Sequence, residues 1–155
     1  IYEGTNGVQS QDLIGRKTIK CNGLFIAEYI SEIRDFANGL DAELNFIKDA
    51  TLDAATEVEA ITQFVIEQAA SNVEFPNSAA VDYLHAVGLL SFTYMFAKIA
   101  AAAKDKSGDF YQNKLALAEY FVERILPELD ARIAKVKAGS DLIMNFSEDY
   151  FTNQA

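Results

Sequence analysis

The chain has 155 residues, enough for one domain with a real core and too few for most two-domain plans. Hydrophobic residues make up 50%, prolines number two, and Ala, Leu, Glu and Lys dominate, which excludes a disordered chain and points to an all-α domain. Thirteen Lys and Arg against twenty-three Asp and Glu give a formal charge of −10, so nucleic acid and anionic membrane surfaces are poor partners.

Residues 1–7 (Ile-Tyr-Glu-Gly-Thr-Asn-Gly) have the composition of a loop, with a Thr-Asn pair suited to capping. From Val8 to about Ile19 the pattern turns amphipathic and ends on Arg16, Lys17 and Lys20, cations that suit the last turn of a helix. A break at 20–23 precedes a second helix, Leu24 to Gly39, with an apolar stripe at Ile26, Tyr29, Ile30, Ile33, Phe36 and Ala37. Asn38-Gly39 should stop it, since Gly takes the left-handed conformation cheaply. A third helix, Asp41 to Ser71, carries Ala54, Val58, Ile61, Phe64, Val65 and Ala69 on one face, with a pause near 49–52.

Phe75-Pro76 disfavours helix ahead of the proline, so Asn77 or Ser78 should cap a fourth helix that runs to Lys104. This helix is the most apolar. Tyr83, Leu84, Val87, Leu90, Tyr94, Met95 and Ile99 face one way, and Phe92 and Phe96 face elsewhere. After a polar turn at 105–108, a fifth helix spans Asp109 to Ala138 with Leu115, Ala118, Phe121, Val122, Ile125, Leu129, Ile133 and Val136 in register. Pro127 should kink it. The tail, Asp141 to Ala155, carries Leu142, Ile143, Phe146, Tyr150 and Phe151, enough apolar surface to dock on the body. The expectation is an up-and-down four-helix bundle with a short extra N-terminal helix and a docked C-terminal tail.

Cys21, the one cysteine, excludes an internal disulfide; with the one histidine, His85, it is too little for a metal site of these ligand types. His85 on its apolar helix reads as a core histidine, and Cys21 as structural or incidental. No run of eighteen uninterrupted apolar residues and no signal segment occurs, so the chain reads as soluble and cytoplasmic. It opens on Ile1, inside what reads as a motif, and is expected to be a piece of a longer protein.

Glu3 followed by Gly4-Thr5-Asn6-Gly7 is a turn that would expose backbone amides at a helix N-terminus, an arrangement that can hold an anionic group. A carboxylate fixed there beside an apolar cleft acts as a base if burial raises its pKa. Read by itself, so short a string is more simply a solvent-exposed Glu and a helix cap.

The string Ile1-Tyr2-Glu3-Gly4-Thr5-Asn6-Gly7-Val8-Gln9, with Asp12-Leu13-Ile14-Gly15-Arg16-Lys17, resembles the signature near the end of flavin-dependent acyl-CoA dehydrogenases. It is most similar to the long bacterial members with an extra C-terminal helical domain, a group that includes methylthiopropanoyl-CoA dehydrogenases. Weaker echoes follow at Phe110-Tyr111-x-x-Lys114-Leu115-Ala116 and Leu126-Pro127. The resemblance implies residues 1–21 as the end of the flavin-bearing helical domain and residues 22–155 as the C-terminal bundle. It implies that Glu3 removes the α-proton of an acyl-CoA thioester while the β-hydrogen leaves as hydride to FAD, giving an enoyl-CoA. Electrons would pass to an electron-transfer flavoprotein, and the parent would be a homo-oligomer, dimer or tetramer. Gly4, Thr5, Asn6 and Gly7 match the stretch that meets FAD. Gly7 stands where members often carry Gln or Glu, so a backbone contact alone is implied there. The isolated chain is expected to be inactive and colourless. An acyl-CoA oxidase, or a purely packing and oligomerisation role for the bundle, are the alternatives.

Overall fold

The computed structural model describes residues 4–147 and 149–152, and every regular element among them is helical. Helix α1 (Asn6–Gln11) runs on into a π-helical stretch, Asp12–Ile19, whose wider turn shows in the amides of Lys20 and Gly23 bonding the carbonyls of Gly15 and Thr18, five residues back. An ordinary α-helix drifts by about 40° every four residues. The wide turn counters that drift and keeps Ser10, Ile14 and Thr18 all buried on one face.

Asn22 and Gly23 both take left-handed φ, 52° and 76°, and reverse the chain into α2 (Leu24–Asn38). Gly23 is also a close approach, since a Cβ there would lie 3.0 Å from Ile66 Cδ1. In α2 the buried stripe is Ile26, Ile30, Ile33 and Ala37, with Tyr29 and Phe36 packed at its edge. The helix does stop at Asn38, although Gly39 is not left-handed (φ −79°). The break is made by Asp41, which is extended, and by a 3-10 turn at Ala42–Leu44.

Helix α3 (Asn45–Ser71) is unbroken through 49–52, where a pause was expected. Buried Thr51 removes the reason for one by donating to the Ile47 carbonyl one turn back, at 2.6 Å. Helix α4 (Phe75–Ala103) begins three residues ahead of the expected Ser78. Its proline stands in the first turn, where the missing amide has no intrahelical partner to lose. The Asn72 side-chain oxygen accepts from the amides of Glu74 and Phe75 at 3.0 and 3.2 Å, so Asn72, rather than Asn77 or Ser78, organises this start.

Helix α4 is the axis of the bundle, touching α1, α3, α5 and α6. It alone among the described helices is long and apolar enough to cross a membrane, and here it is packed as the core helix. Its inward face differs from the expected one. Tyr83, Leu90 and Tyr94 are buried as read, with Phe75 and Leu89, but most of the other buried positions are small, including Ala79, Ala80, Ala86, Ala97 and Ala100. Small residues let neighbouring helices approach closely. Met95 and Ile99 consequently turn outward with Phe92, which is 59% exposed.

The fifth expected helix is divided. Helix α5 (Asp109–Tyr120) passes into a π turn, Phe121–Ile125, and after Leu126-Pro127 the chain resumes as α6 (Glu128–Lys137). Pro127 clashes with a regular preceding turn. The Leu126 amide reaches back five residues to the Phe121 carbonyl at 2.9 Å, the wider winding that accommodates the ring. Ala118, Phe121, Leu129, Ile133 and Val136 remain buried across the interruption.

The tail departs from expectation. Ser140 is buried and its hydroxyl accepts from the Asn72 amide nitrogen at 2.9 Å, but beyond it α7 (Asp141–Met144) and α8 (Asp149–Thr152) bury nothing. Leu142 and Phe151 are 78% and 79% exposed. Phe146 instead packs edge-on with Tyr150 and Phe151. Among the described residues, the tail's large apolar side chains stay exposed and do not dock on the bundle.

Candidate functional site

Glu3, the sequence-predicted base, lies outside the described residues. Gly4, Thr5, Asn6 and Gly7 are described: Gly4 and Thr5 form the turn that feeds α1, and Asn6 and Gly7 are the first two residues of that helix. Gly4 and Thr5 are consecutive left-handed residues, with φ of 75° and 61°. For glycine this conformation is free. For a β-branched threonine it is costly by roughly 1–2 kcal/mol, and such strain concentrates at functional sites. The Thr5 carbonyl accepts from the Gln9 amide at 3.0 Å, and the buried Ser10 hydroxyl donates to the Gly7 carbonyl at 2.8 Å. The turn is therefore braced from the helix side. Gly4, Asn6 and Gly7 are exposed, and no atom outside the helix backbone lies within 4 Å of where a Gly7 Cβ would be.

The helix behind the turn is seated by Ile14 and Thr18, both wholly buried. Thr18 donates to the Tyr83 hydroxyl of α4 at 3.3 Å, and that hydroxyl pairs with Thr62 of α3 at 2.9 Å. Burial pushes the Tyr83 phenol above its ordinary value, so it stays protonated. On the solvent side Arg16 grips Asp12 with two hydrogen bonds, at 2.6 and 2.9 Å, and holds that carboxyl below the usual aspartate range. The Thr18–Tyr83–Thr62 cluster is not visible in the sequence. Each residue reads there as an ordinary helix position, and only the three-helix crossing brings the hydroxyls together.

The remaining predicted residues fall elsewhere. His85 is not a core histidine. It is exposed, on the rim of a 390 Å³ groove with Leu84, Gly88, Phe92, Ile125 and Arg132, because the inward arc of α4 at this level is taken by Tyr83, Ala86, Leu89 and Leu90. The Cys21 thiol donates to the Lys17 carbonyl at 2.9 Å within its own turn, which suits the structural reading. Of the aromatic residues on the predicted stripes, Tyr29, Phe36, Phe64, Tyr83, Tyr94 and Phe121 do build the core and Phe92 does not; Phe96 stacks on Phe121 at 4.5 Å, and Phe36 meets Tyr94 and Phe64 meets Phe75 edge-on.

An all-α bundle around a central helix, entered through a turn with a left-handed threonine, defines the class as an all-α helical bundle domain. Residues 29–147 match the family described as "Acetyl-CoA dehydrogenase C-terminal like", and the chain belongs to that family. Among curated proteins it is 28% identical to the broad-specificity linear acyl-CoA dehydrogenase FadE5 of Mycobacterium tuberculosis, over 97% of this chain and 27% of that protein. It is 26% identical to the 3-methylmercaptopropionyl-CoA dehydrogenase of Ruegeria pomeroyi, over 95% of this chain and 26% of the other. A butyryl-CoA dehydrogenase of Syntrophomonas wolfei matches at 24%, over 97% and 26% respectively. The chain spans about a quarter of the length of these relatives.

Proposed function

We propose that the chain is the C-terminal helical region of an FAD-dependent acyl-CoA dehydrogenase and that its N-terminal motif serves that enzyme's active site. On this reading residues 1–21 close the catalytic region and residues 22–155 form the bundle on which it rests. The observation that carries it is the left-handed Gly4-Thr5 pair at the head of a helix seated in the bundle core, in a chain of this family. A strained turn persists where a function needs the backbone held in that shape.

Glu3 is the α-proton base in this reading. An α-proton beside a thioester is weakly acidic, so the base must be aimed and desolvated. FAD would supply the hydride acceptor. The exposed turn suits a backbone approach to such a cofactor, since Gly7 offers no side chain to obstruct it. Gly4, Thr5 and Asn6 would share that contact, with Thr5 contributing its hydroxyl. Acyl-CoA as substrate, electron-transfer flavoprotein as acceptor, a homo-oligomeric parent and a cytoplasmic location belong to the same proposal, as does the inactivity of the isolated chain.

A second reading, a packing or oligomerisation module without chemistry, is favoured by the outward apolar residues of α4, Phe92, Met95 and Ile99. The two are separated by Glu3→Gln in the full-length enzyme. Loss of turnover with FAD retained is the result expected of a base; unchanged turnover would leave only the second reading.

A further inference from the structure

Tyr83 has no exposed surface, and its hydroxyl lies where the N-terminal helix, α3 and α4 meet. The direction of its hydrogen bonds can be worked out. Each threonine hydroxyl has one proton. Thr62 uses its own on the Val58 carbonyl, at 2.7 Å. Tyr83 must therefore donate to Thr62, across 2.9 Å, and its oxygen accepts from Thr18, across 3.3 Å. The result is a one-way chain from Thr18 through Tyr83 and Thr62 to a backbone carbonyl, and no described buried side-chain nitrogen or oxygen is left without a partner.

Such a chain does something that apolar packing does not. Ile14 fixes how deeply the N-terminal helix sits, but contact with a methyl group tolerates rotation and sliding. A hydrogen bond is directional, and in a dry interior losing one partner costs more than making the bond gained. Thr18 is fourteen residues from Gly4, about 20 Å along a helix. A tilt of about 3° at Thr18 would carry the turn about 1 Å, and a displacement of that size can cost as much as a hundredfold in rate.

We propose that Tyr83 is a positioning residue, one that fixes the rotation and register of the N-terminal helix through Thr18 and so aims the turn at Gly4 and Thr5 that follows Glu3 in the sequence. This rests on the reading of Glu3 as the base. The experiment uses the full-length flavin-loaded enzyme with Tyr83→Phe, Thr18→Val and Thr18→Ser. Tyr83→Phe and Thr18→Val are expected to lower kcat about tenfold while KM and FAD content stay unchanged. Amide exchange over residues 6–20 should quicken in both. Thr18→Ser keeps the hydroxyl and should restore both readouts.

Two outcomes overturn the proposal while the base assignment stands. One is wild-type kcat in both Tyr83→Phe and Thr18→Val with Glu3→Gln inactive; the other is equal loss in Thr18→Ser and Thr18→Val, which would make the hydroxyl irrelevant. If Glu3→Gln keeps its turnover, the base assignment fails and the positioning role falls with it, whatever the exchange data show.

Discussion

The two ends of the chain carry similar apolar content and meet opposite fates. The N-terminal segment sends Ile14 and Thr18 wholly into the core, while the C-terminal tail leaves Leu142, Ile143, Phe146, Tyr150 and Phe151 in solvent. The difference lies in spacing and in polar accounting. Ser10, Ile14 and Thr18 recur every four residues on one continuous helix, and each polar member has a partner inside. The tail is cut into two single-turn helices, too short to sustain a stripe. Apolar residues are thus a condition for docking that is not sufficient without a helix long enough to align them.

That contrast can be broken most forcefully at Ile14. Ile14→Ala removes a fully buried side chain and should cost about 2–5 kcal/mol by chemical denaturation, whereas Leu142→Ala should stay within about 0.5 kcal/mol. Comparable losses at both sites would mean that the tail docks in solution. An intermediate effect is expected at Asn72, which both organises the start of α4 and holds Ser140. Asn72→Ala should cost about 1 kcal/mol and quicken amide exchange at the start of α4 and in 140–145, with 6–20 unaffected.

The smallest effect belongs to the charged outer face of the N-terminal segment. The Arg16 hydrogen bonds depress the Asp12 carboxyl below its ordinary 3.8 in the folded chain. A depressed carboxyl contributes stability above its unfolded value and loses it as pH falls through the folded one. The Tm difference between wild type and Asp12→Asn should therefore be small at neutral pH, screened by salt, and gone once Asp12 is protonated. A difference that grew on acidification would reverse this assignment.

Much of the bundle was legible in the sequence because three- and four-residue periodicity reports directly on a helix with one wet face. The stripes of α2, α3 and α6 follow the reading closely, at Ile30, Ile33, Val58, Ile61, Ile133 and Val136. On α4 it holds for Tyr83, Leu90 and Tyr94 and fails for Met95 and Ile99, which are exposed while alanines such as Ala86, Ala97 and Ala100 are buried. A helix apolar around its whole circumference has no polar arc to mark the outside, so size, which periodicity ignores, decides. It failed again at Phe75-Pro76, where the rule against helix before proline yields to first-turn tolerance and to Asn72. Of the candidate site, the turn at 4–7 was readable from its glycines, although the left-handed threonine was not. The hydroxyl chain was unreadable, since it depends on residues 18, 62 and 83 meeting in space.

The π turn at Phe121–Ile125 has a consequence for how such chains change over time. Reaching back five residues instead of four, it spends one residue more than α winding would over the same rise. That residue is in effect an insertion absorbed within a helix, leaving Ala118 before it and Leu129 after it both facing the core. A bundle built this way can gain or lose a residue at this point without rotating everything downstream, which an uninterrupted α-helix cannot do. Length variation among members of the family should accordingly be tolerated in this turn, ahead of Pro127, as it is in loops.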